Sequence, residues 1–528
     1  MNYGIDLGTT NSCVAGWDEN MDRPKFYYNE VEGSTVTPSV VFFDPNDSKK
    51  VLVGKRALNS FLQRPDRIVR GIKRRIGDPD SYDPNISGLP NGTNPVSISS
   101  MILKKLVQDV KRGHQQDVRN VVITVPAYFG LEQRSKTKLA GEYAGLNVLE
   151  LIPEPTAAAL AYGLDSQDDK NVIVYDLGGG TFDVTFVRIL ANEDGTNTFK
   201  YIALDGNDRL GGMDWDRELA QLLLNKYNDY ANTTYSLRKE EELTDDSKEA
   251  KLTATLLEKA KEIKELLGSD IGYLDSSISF DGIVLEVRVT LDEFNQLTRH
   301  LLDKTIETTR SVIETARKAG YQNPDEIILV GGSTRMVQVT EALKETFGIE
   351  PQLHNPDFAV ATGAAIYANK IGQYINDNEN ILHIEHSINN ILSKTYGIQL
   401  IDGSIGNFLF RNERLPIDKI VNRFFIAADD ASGLFLSLYE SDLLETPENL
   451  SIPASEVNAK SKCVAECETQ FIKRYPANTP VSMHIKANNE QLIDIEVNIL
   501  GEKQSVRFEL GIQETPEQRE YISSVKVF

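Results

Sequence analysis

The hydrophobic pattern in the middle of the chain predicts a hairpin built around a glycine turn. Residues 171–187 read as an apolar strand, the turn Gly178-Gly179-Gly180, and a second strand with period-two alternation. Glycine has no Cβ, so backbone N–H groups in such a turn can approach an anion closely. Asp176 and Asp183 flank the turn, where carboxylate oxygens can hold a hydrated Mg²⁺. The turn is therefore a candidate phosphate site, although glycine turns between strands also serve purely structural roles.

A second copy of this pattern stands at the start of the chain. Residues 3–15 again place an aspartate, Asp6, after an apolar strand, and Leu-Gly and the hydroxylated Thr9 and Thr10 follow it. The repetition suggests two related lobes. Two such turns facing each other across a cleft can clamp a nucleoside triphosphate, and closure of the lobes would then depend on the bound nucleotide.

The remaining pattern predicts an α/β region followed by an all-β region. Helical spacing over residues 101–116 and 131–145 flanks a strand at Asn120–Val125, and Pro155 suits the first turn of another helix. From Lys394 onward, short strands alternate apolar and polar positions between turn signals, which is typical of a β-sandwich. These strands are predicted at Tyr396–Ile401, Phe424–Ala427, Leu434–Tyr439, Val481–Lys486, Ile493–Ile499 and Ser505–Leu510.

Length and composition limit the possible functions. A chain of 528 residues is long enough for roughly three domains. Its net charge of −22 disfavours nucleic acid and anionic membrane as main partners, because the long-range field repels phosphates. We expect a cytoplasmic protein without a disulfide framework, since cysteine is scarce and the N-terminus shows no basic segment followed by an apolar run. No uninterrupted apolar stretch approaches the length of a membrane span.

Three smaller groups of residues allow both a structural and a functional interpretation. The basic run at residues 67–77 can be a solvated helix face, or one of its lysines can reach a nucleotide and stabilise developing negative charge. His383 and His386 can in principle share a metal, but no third ligand stands nearby. Cys463 and Cys467 are interpreted as ordinary thiols rather than as a redox or metal pair.

Several short motifs occur in a fixed order along the chain. They are Ile5–Ala15, Val125–Phe129, Glu154–Gly163, Asp176–Asp183, Gly211-Gly212, Val330–Arg335 and Asn355–Asp357. This ordered set resembles the 70-kilodalton heat-shock chaperone family (DnaK-like). The resemblance covers nearly all of residues 1–372 and continues more weakly to about residue 515. Single motifs such as Asp-Leu-Gly-Thr-Thr are shared with sugar kinases, actins and related ATPases, whereas the ordered set is far more specific.

The resemblance implies a fold of class α/β plus all-β. An actin-like ATPase domain, with two ribonuclease-H-like lobes around ATP or ADP and Mg²⁺, would precede a peptide-binding β-sandwich. The implied boundaries are 1–372 for the nucleotide-binding domain (lobe I about 1–171 and 354–372, lobe II about 172–353), 373–393 for an interdomain linker, 394–515 for the β-sandwich and 516–528 for a C-terminal tail. The sequence shows no match to the family's helical lid, so we expect weak, fast peptide binding.

Position by position, the resemblance implies a nucleotide site drawn from both lobes. The implied metal ligands, acting mostly through water, are Asp6, Asp176 and Asp183. The implied catalytic residues are Lys73, Glu154, Asp176 and Thr181. The implied nucleotide contacts are Gly8, Thr9, Thr10, Asn11, Gly178, Gly179, Gly180, Thr181, Gly212, Lys261, Lys264, Gly331, Gly332, Ser333, Arg335 and Asp357. Pro126 and Arg134 match the pair through which the family relays nucleotide state outward.

Two parts of the nucleotide site depart from the family pattern. Met213 stands where the family has a glutamate, which removes a contact to the sugar. A gapless register places Lys261, Lys264 and Glu265 near the adenine, whereas a slipped register would use Glu258 and Lys261. The predicted linker also lacks the family's leucine-rich run. The resemblance therefore supports an ATPase more strongly than it supports allosteric coupling between the domains.

The sandwich carries the candidate peptide groove. The resemblance implies that Ile398, Ile401, Ala427, Leu434 and Leu436 line it, and an extended apolar peptide would bind there through main-chain hydrogen bonds and side-chain pockets. The alternative is that these side chains are simply sandwich core.

Two functions from different classes follow from these observations. The chain is either an ATP-dependent chaperone, which couples slow hydrolysis to binding of unfolded peptide segments, or a nucleotide-switched docking module for one protein partner. Sugar kinase is a third interpretation, in which residues 394–515 have no role. The implied partners include a nucleotide exchange factor and a J-domain co-chaperone, although Glu150 reverses a charge at the surface that docks the latter.

Overall fold

The structure is a computed structural model that describes the chain except residues 31, 79–88, 164–167, 194–196, 268–270, 354, 378–387, 507–508 and 511–515. Its first part contains helices and sheets with both parallel and antiparallel strands, and its second part contains antiparallel sheets. None of the helices in the described ranges is long and apolar enough to cross a membrane.

The first lobe contains strands β1 to β9 and helices α1 to α4. The strands are β1 (Tyr3–Leu7), β2 (Asn11–Asp18), β3 (Arg23–Phe26), β4 (Thr37–Pro38), β5 (Val41–Phe43), β6 (Lys50–Val53), β7 (Ile68–Val69), β8 (Asn120–Val125) and β9 (Asn147–Pro153). The helices are α1 (Lys55–Leu58), α2 (Pro95–His114), α3 (Leu131–Tyr143) and α4 (Glu154–Gly163). The main sheet has the order β3-β2-β1-β8-β9, with β4 beside β2, and a smaller sheet contains β5, β6 and β7. The predicted hairpin at the start of the chain is confirmed, because β1 pairs with β2 in antiparallel register.

The second lobe contains strands β10 to β16 and helices α5 to α8, followed by α9. The strands are β10 (Lys170–Leu177), β11 (Phe182–Ala191), β12 (Asn197–Asn207), β13 (Tyr273–Phe280), β14 (Ile283–Thr290), β15 (Glu326–Val330) and β16 (Gln352–Leu353). The helices are α5 (Gly212–Ala231), α6 (Lys248–Leu267), α7 (Leu291–Lys318), α8 (Val337–Phe347) and α9 (Ala359–Asp377). The sheet has the order β16-β15-β10-β11-β12. Helix α9 packs against α4 and β1, so the chain returns to the first lobe there.

The central hairpin is confirmed and lies in the middle of this second sheet. Strand β10 pairs with β11 in antiparallel register, and Asp176 lies opposite Asp183. Alternate side chains of β10 enter different cores: Ile173 and Tyr175 face one, and Val172 and Val174 face the other. A strand that is buried on both faces reads as a continuous apolar run, which explains the local sequence.

The second part of the chain folds into two antiparallel sheets that share one core. The elements are β17 (Ile388–Asn389), β18 (Thr395–Gln399), β19 (Ile405–Leu409), β20 (Ile417–Phe425), β21 (Ala431–Ser441), β22 (Ser451–Ile452), α10 (Val457–Lys460), β23 (Ser461–Tyr475), β24 (Pro480–Ala487), β25 (Ile493–Ile499), β26 (Glu502–Val506), β27 (Glu509–Leu510), α11 (Pro516–Ser524) and β28 (Lys526–Val527). One sheet has the order β22-β19-β18-β21-β23-β27 and the other β20-β24-β25-β26. Tyr396 and Leu438 from the first sheet pack with Ile485 and Val497 from the second. We call this unit the sandwich.

The chain on either side of the sandwich differs from the sequence prediction. Helix α9 runs to Asp377, into the predicted linker 373–393. At the other end of that linker, β17 pairs in parallel with β12 and extends the sheet of the second lobe. Residues 378–387, which include His383 and His386, lie outside the described residues. Residues 516–528, predicted as a tail, form α11 and β28 instead, and β28 joins the small sheet of the first lobe beside β6.

Candidate nucleotide cleft

A cleft of about 630 Å³ lies between the two lobes, a size that suits a small-molecule ligand. Its wall includes most of the predicted nucleotide contacts, the predicted catalytic residues and two of the three predicted metal ligands. These wall residues are Asp6, Gly8, Thr9, Thr10, Asn11, Lys73, Glu154, Asp176, Gly178, Gly179, Thr181, Gly212, Lys261, Lys264, Gly331, Gly332, Ser333, Arg335 and Asp357. Two predicted residues, Gly180 and Asp183, are not among the residues that line the cleft.

The two glycine turns touch each other at the base of the cleft. A Cβ added at Gly179 would lie 1.8 Å from Oγ1 of Thr10, and one added at Gly180 would lie 2.4 Å from Cγ2 of Thr9. Real Cβ contacts are essentially never this short, so glycine at both positions allows the two turns to approach this closely without displacing a side chain. Gly180 therefore contributes to lobe contact rather than to the wall.

The start of helix α5 fixes the position of the central turn. The backbone N–H of Gly212 donates to the carbonyl of Gly178 at 3.0 Å, and that of Met213 donates to the carbonyl of Gly179 at 2.7 Å. Lys264 of α6 donates to the carbonyl of Gly212 at 2.9 Å. These hydrogen bonds connect the central turn to the start of α5, and the start of α5 to α6, so the three form one side of the cleft.

Buried carboxylates gather beside the two turns. Burial, together with the negative charge of Glu154, raises the pKa of Asp6 to about 6 and that of Asp183 to about 7. The pKa of Asp176 is raised well above its usual range by burial and by Glu154, Asp183 and Asp6. Lys73 partly offsets this repulsion. The group is short of positive charge, a deficit that a divalent cation would relieve.

These carboxylates do not form a cage of direct metal ligands. Among the described residues, no group of three or more His, Cys, Asp and Glu side chains is placed to hold a metal ion. Asp6 accepts a hydrogen bond from Oγ1 of Thr124 at 3.1 Å, and Asp183 accepts one from the backbone N–H of Tyr128 at 3.0 Å. The arrangement fits a cation that keeps its water shell, as Mg²⁺ commonly does.

Lys73 and Glu154 form a buried ion pair in the cleft wall. The ammonium of Lys73 donates to Oε1 of Glu154, and their side chains are only 5% and 8% exposed. Lys73 lies in the short 3-10 turn Ile72–Arg75, and Glu154 is the first residue of α4. The functional interpretation of the basic run at residues 67–77 is therefore the one that the geometry favours for Lys73.

The far side of the cleft is built from the loop after β15 and from α6. Gly331 has a φ of 83°, and a Cβ there would lie 2.5 Å from the carbonyl oxygen of Leu177, so glycine is required. Oγ of Ser333 donates to the carbonyl of Gly178 at 2.9 Å, and Arg335 pairs with Asp357 at 2.5 Å. This loop thus links the predicted adenosine contacts to the phosphate turn.

The two registers considered for α6 place different residues at the cleft. Lys261, Lys264 and Glu265 all line it, as the gapless register requires. Glu258, which the slipped register would use, is absent from the wall and accepts a hydrogen bond from Arg70 at 2.6 Å instead. The placement favours the gapless register.

Among the residues of the cleft wall that sequence reasoning missed are two charged ones, Arg70 and Asp216. Arg70 of the first lobe has an 11% exposed side chain, lies 4.5 Å from the ring centre of Phe61 and pairs with Glu258 of the second lobe. Asp216 pairs with Lys264 at 2.7 Å. The sequence marked Arg70 only as one residue of a basic run, and its partner Glu258 lies 188 positions further along the chain.

The predicted relay residues lie where the first lobe meets the sandwich. Pro126 and Arg134 are buried, and Arg134 donates from Nε to the carbonyl of Phe129 at 3.0 Å. Burial lowers the pKa of Arg134 to about 10. The same carbonyl accepts a hydrogen bond from Oγ of Ser393 at 2.9 Å, and the ammonium of Lys394 lies 3.2 Å from the ring centre of Tyr128. One short segment therefore contacts both Asp183 at the cleft and the start of the sandwich.

The five predicted groove residues do not share one surface. Ile398 and Leu436 are buried in the sandwich core, and Leu434 packs against that core. Ile401 is 81% exposed in a turn, and Ala427 is exposed in a separate loop. The alternative interpretation as sandwich core therefore describes Ile398 and Leu436.

Comparisons with known proteins agree with the motif order. The family model described as "Hsp70 protein" matches residues 2–468. Proteins named "Chaperone protein DnaK" from Thermotoga petrophila, Thermotoga sp. (strain RQ2) and Thermotoga neapolitana are each 37% identical over 456 residues, which is 85% of this chain and 71% of each relative. The family match includes both glycine turns, the Lys73–Glu154 pair and strands β18, β19, β21 and β22 of the sandwich. On these grounds the chain belongs to the Hsp70 family.

Proposed function

We propose that this protein is an ATP-dependent molecular chaperone with an actin-like ATPase domain at residues 1–372 and a peptide-binding sandwich at 394–515. The observation that carries the proposal is the cleft, in which two glycine turns from different lobes meet beside the buried Lys73–Glu154 pair. A glycine-rich wall with a lysine and several carboxylates suits a magnesium nucleotide better than a sugar, for which hydroxyl recognition would dominate. The Hsp70 family and the relatives named DnaK support the chaperone assignment.

The carboxylates of Asp6, Asp176 and Asp183 would hold hydrated Mg²⁺ next to the phosphates. Bound Mg²⁺ would neutralise negative charge on the phosphate oxygens during phosphoryl transfer. The raised pKa values of these three groups support the assignment: burial is the largest cause of each, and repulsion by neighbouring carboxylates, which a cation would relieve, adds to it.

The chain's own residues would bind the nucleotide and position the attacking water. Backbone N–H groups of both turns would contact phosphate oxygens, with Thr9, Thr10 and Thr181 adding hydroxyl groups. The ammonium of Lys73 would stabilise charge that develops on the terminal phosphoryl group, and Glu154, held by Lys73, would orient the water. We expect slow hydrolysis, as the resemblance to the chaperone family implies.

Coupling to the sandwich would run through the segment Pro126–Phe129. Tyr128 contacts Asp183 through its backbone and Lys394 through its ring, so a shift at Asp183 on nucleotide binding would displace the sandwich contact.

An exchange factor and a J-domain co-chaperone are proposed partners. Glu150, the altered position on the docking surface for the latter, accepts a hydrogen bond from the Tyr367 hydroxyl at 2.9 Å. The cytoplasmic location stays a prediction.

A panel of unrelated apolar peptides separates this proposal from the dedicated docking module. We expect the intact chain to bind many of them weakly, with an affinity that changes at least severalfold between ADP and ATP. Fluorescence anisotropy with labelled peptides gives the dissociation constants, and highly charged peptides of equal length are the control. Binding to none of the apolar peptides, together with intact ATP turnover, would support the docking module instead.

A further inference from the structure

The outer edge of β6 in the first lobe is a strand-accepting surface, and the chain fills it with its own last described segment. We call that segment, Pro516–Phe528, the strap. The backbone N–H of Lys526 donates to the carbonyl of Lys49 at 2.7 Å, and that of Phe528 donates to the carbonyl of Val51 at 3.0 Å. Val53 donates back to the carbonyl of Phe528 at 3.1 Å. These bonds make β28 the fourth strand of the β5–β7 sheet.

Side chains of the strap belong to the core of the first lobe. Val525 and Val527 are 8% and 7% exposed and pack in the same cluster as Val51 and Val53. Tyr521 covers Gly92 so closely that a Cβ at Gly92 would lie 2.7 Å from it. The ammonium of Lys104 donates to the carbonyl of Ile522 at 2.7 Å. The strap is thus fixed by apolar burial and backbone hydrogen bonds, which salt weakens little.

The strap attaches the C-terminal end of the sandwich to the first lobe. Its helix starts at Pro516, and the last strand of the sandwich ends at Leu510. A chain of that length spans at most about 20 Å even when fully extended. The other end of the sandwich follows β17, which is paired with β12 of the second lobe. The strap also lies beyond residues 2–468, so the family match does not supply it.

The direct contacts between the first lobe and the sandwich include the buried side chain of Leu131 in the sandwich core, the Ser393–Phe129 hydrogen bond and two ion pairs. Lys462 pairs with Glu132 at 2.8 Å, and Lys138 pairs with Glu490 at 3.2 Å. Both lysines are partly exposed, so their pairs are open to screening and to charge reversal. These ion pairs orient the sandwich, whereas the strap limits how far it can move.

We propose that the strap is an intramolecular tether, which keeps the sandwich beside the ATPase region when the direct contacts break. Nucleotide-driven motion in this protein is then a limited displacement rather than full separation of the domains. Tethering keeps the effective concentration of the sandwich at its docking surface high. The inference concerns domain placement and holds whether or not the cleft binds a nucleotide.

Cutting the tether in a charge-reversed background tests the proposal. Lys138→Glu with Lys462→Glu places like charges opposite Glu490 and Glu132, which breaks the direct ion pairs, and Leu131→Asp in the same background removes the apolar contact of the first lobe with the sandwich core. A protease site inserted at residues 511–515 then severs the sandwich from the strap without removing the strap from the core. Small-angle scattering reports the radius of gyration, which is about 24 Å for a compact chain of this length. We expect the uncut protein to stay near that value and the cut protein to expand by several ångströms.

Two results would overturn the tether. The first is a cut protein that stays compact, and the second is an uncut charge-reversed protein that already expands as far as the cut one. Val527→Asp gives an independent check, because it expels the strap by placing a charge in the core, while Ser523→Asp adds the same charge on the exposed side of the strap. In the charge-reversed background only Val527→Asp should expand the molecule. Far-ultraviolet circular dichroism shows whether each variant is folded.

Discussion

Replacing Lys73 with alanine should slow ATP hydrolysis by roughly a hundred- to a thousandfold while ATP still binds, the range seen when one preorganised charge-stabilising donor is removed. Lys73 is buried in the cleft wall and is the cation that offsets the charge of Glu154. Without it, charge developing on the terminal phosphoryl group loses a fixed ammonium, and Glu154 loses the partner that orients it. Single-turnover hydrolysis measures the chemical step, and calorimetry measures binding separately.

The matched control for this prediction is Lys55→Ala. Lys55 is also in the first lobe, but its side chain is exposed and does not line the cleft. Its replacement should leave both the single-turnover rate and ATP affinity unchanged. An unchanged single-turnover rate in Lys73→Ala would remove Lys73 from the catalytic residues, whereas loss of ATP binding in that variant would assign it to binding instead.

Gly179→Ala should weaken ATP binding by roughly ten- to a hundredfold, equivalent to about 1–3 kcal/mol of overpacking strain. The added Cβ would lie 1.8 Å from Oγ1 of Thr10, so either the central turn or the first turn must move. The two turns then no longer meet in the geometry that grips one nucleotide from both lobes. Titration calorimetry with ATP and Mg²⁺ measures the loss.

Gly272→Ala is the control for that substitution. It makes the same chemical change in the second lobe, but its Cβ would meet no heavy atom within 4 Å. We expect its ATP affinity to equal that of the unchanged protein. If Gly179→Ala binds ATP equally well, the contact between the turns is not required, and the nucleotide site does not depend on both lobes closing.

The parts of the fold that depend on local sequence were predictable. The central hairpin is an example, since the strand pair Asp176 and Asp183 and the glycine turn between them lie within one short stretch. In the sandwich, predicted strands overlap β18, β21, β24 and β25, whereas β19 and β23 were not predicted and β20 starts at Ile417, before the predicted strand. Its exposed face carries both Asp418 and the apolar Ile420, which is 62% exposed, so polar and apolar positions do not separate by face there.

Contacts between distant segments could not be read from the local pattern. Arg70 meets Glu258 because two lobes close on each other, and neither residue's neighbours signal the other. The pairing of β28 with β6 joins opposite ends of the chain, and a two-residue strand carries too little periodicity to specify its partner. The groove prediction met a related limit, because apolar alternation cannot distinguish a core face from a binding face.

Titration calorimetry of the intact protein, supplied with Mg²⁺, against ATP and against ADP tests the central claim most directly. The account predicts a binding heat for each nucleotide at one site per chain, with a clear loss of affinity when Mg²⁺ is removed by a chelator. Absence of binding heat for both nucleotides on folded, metal-supplied protein would contradict it.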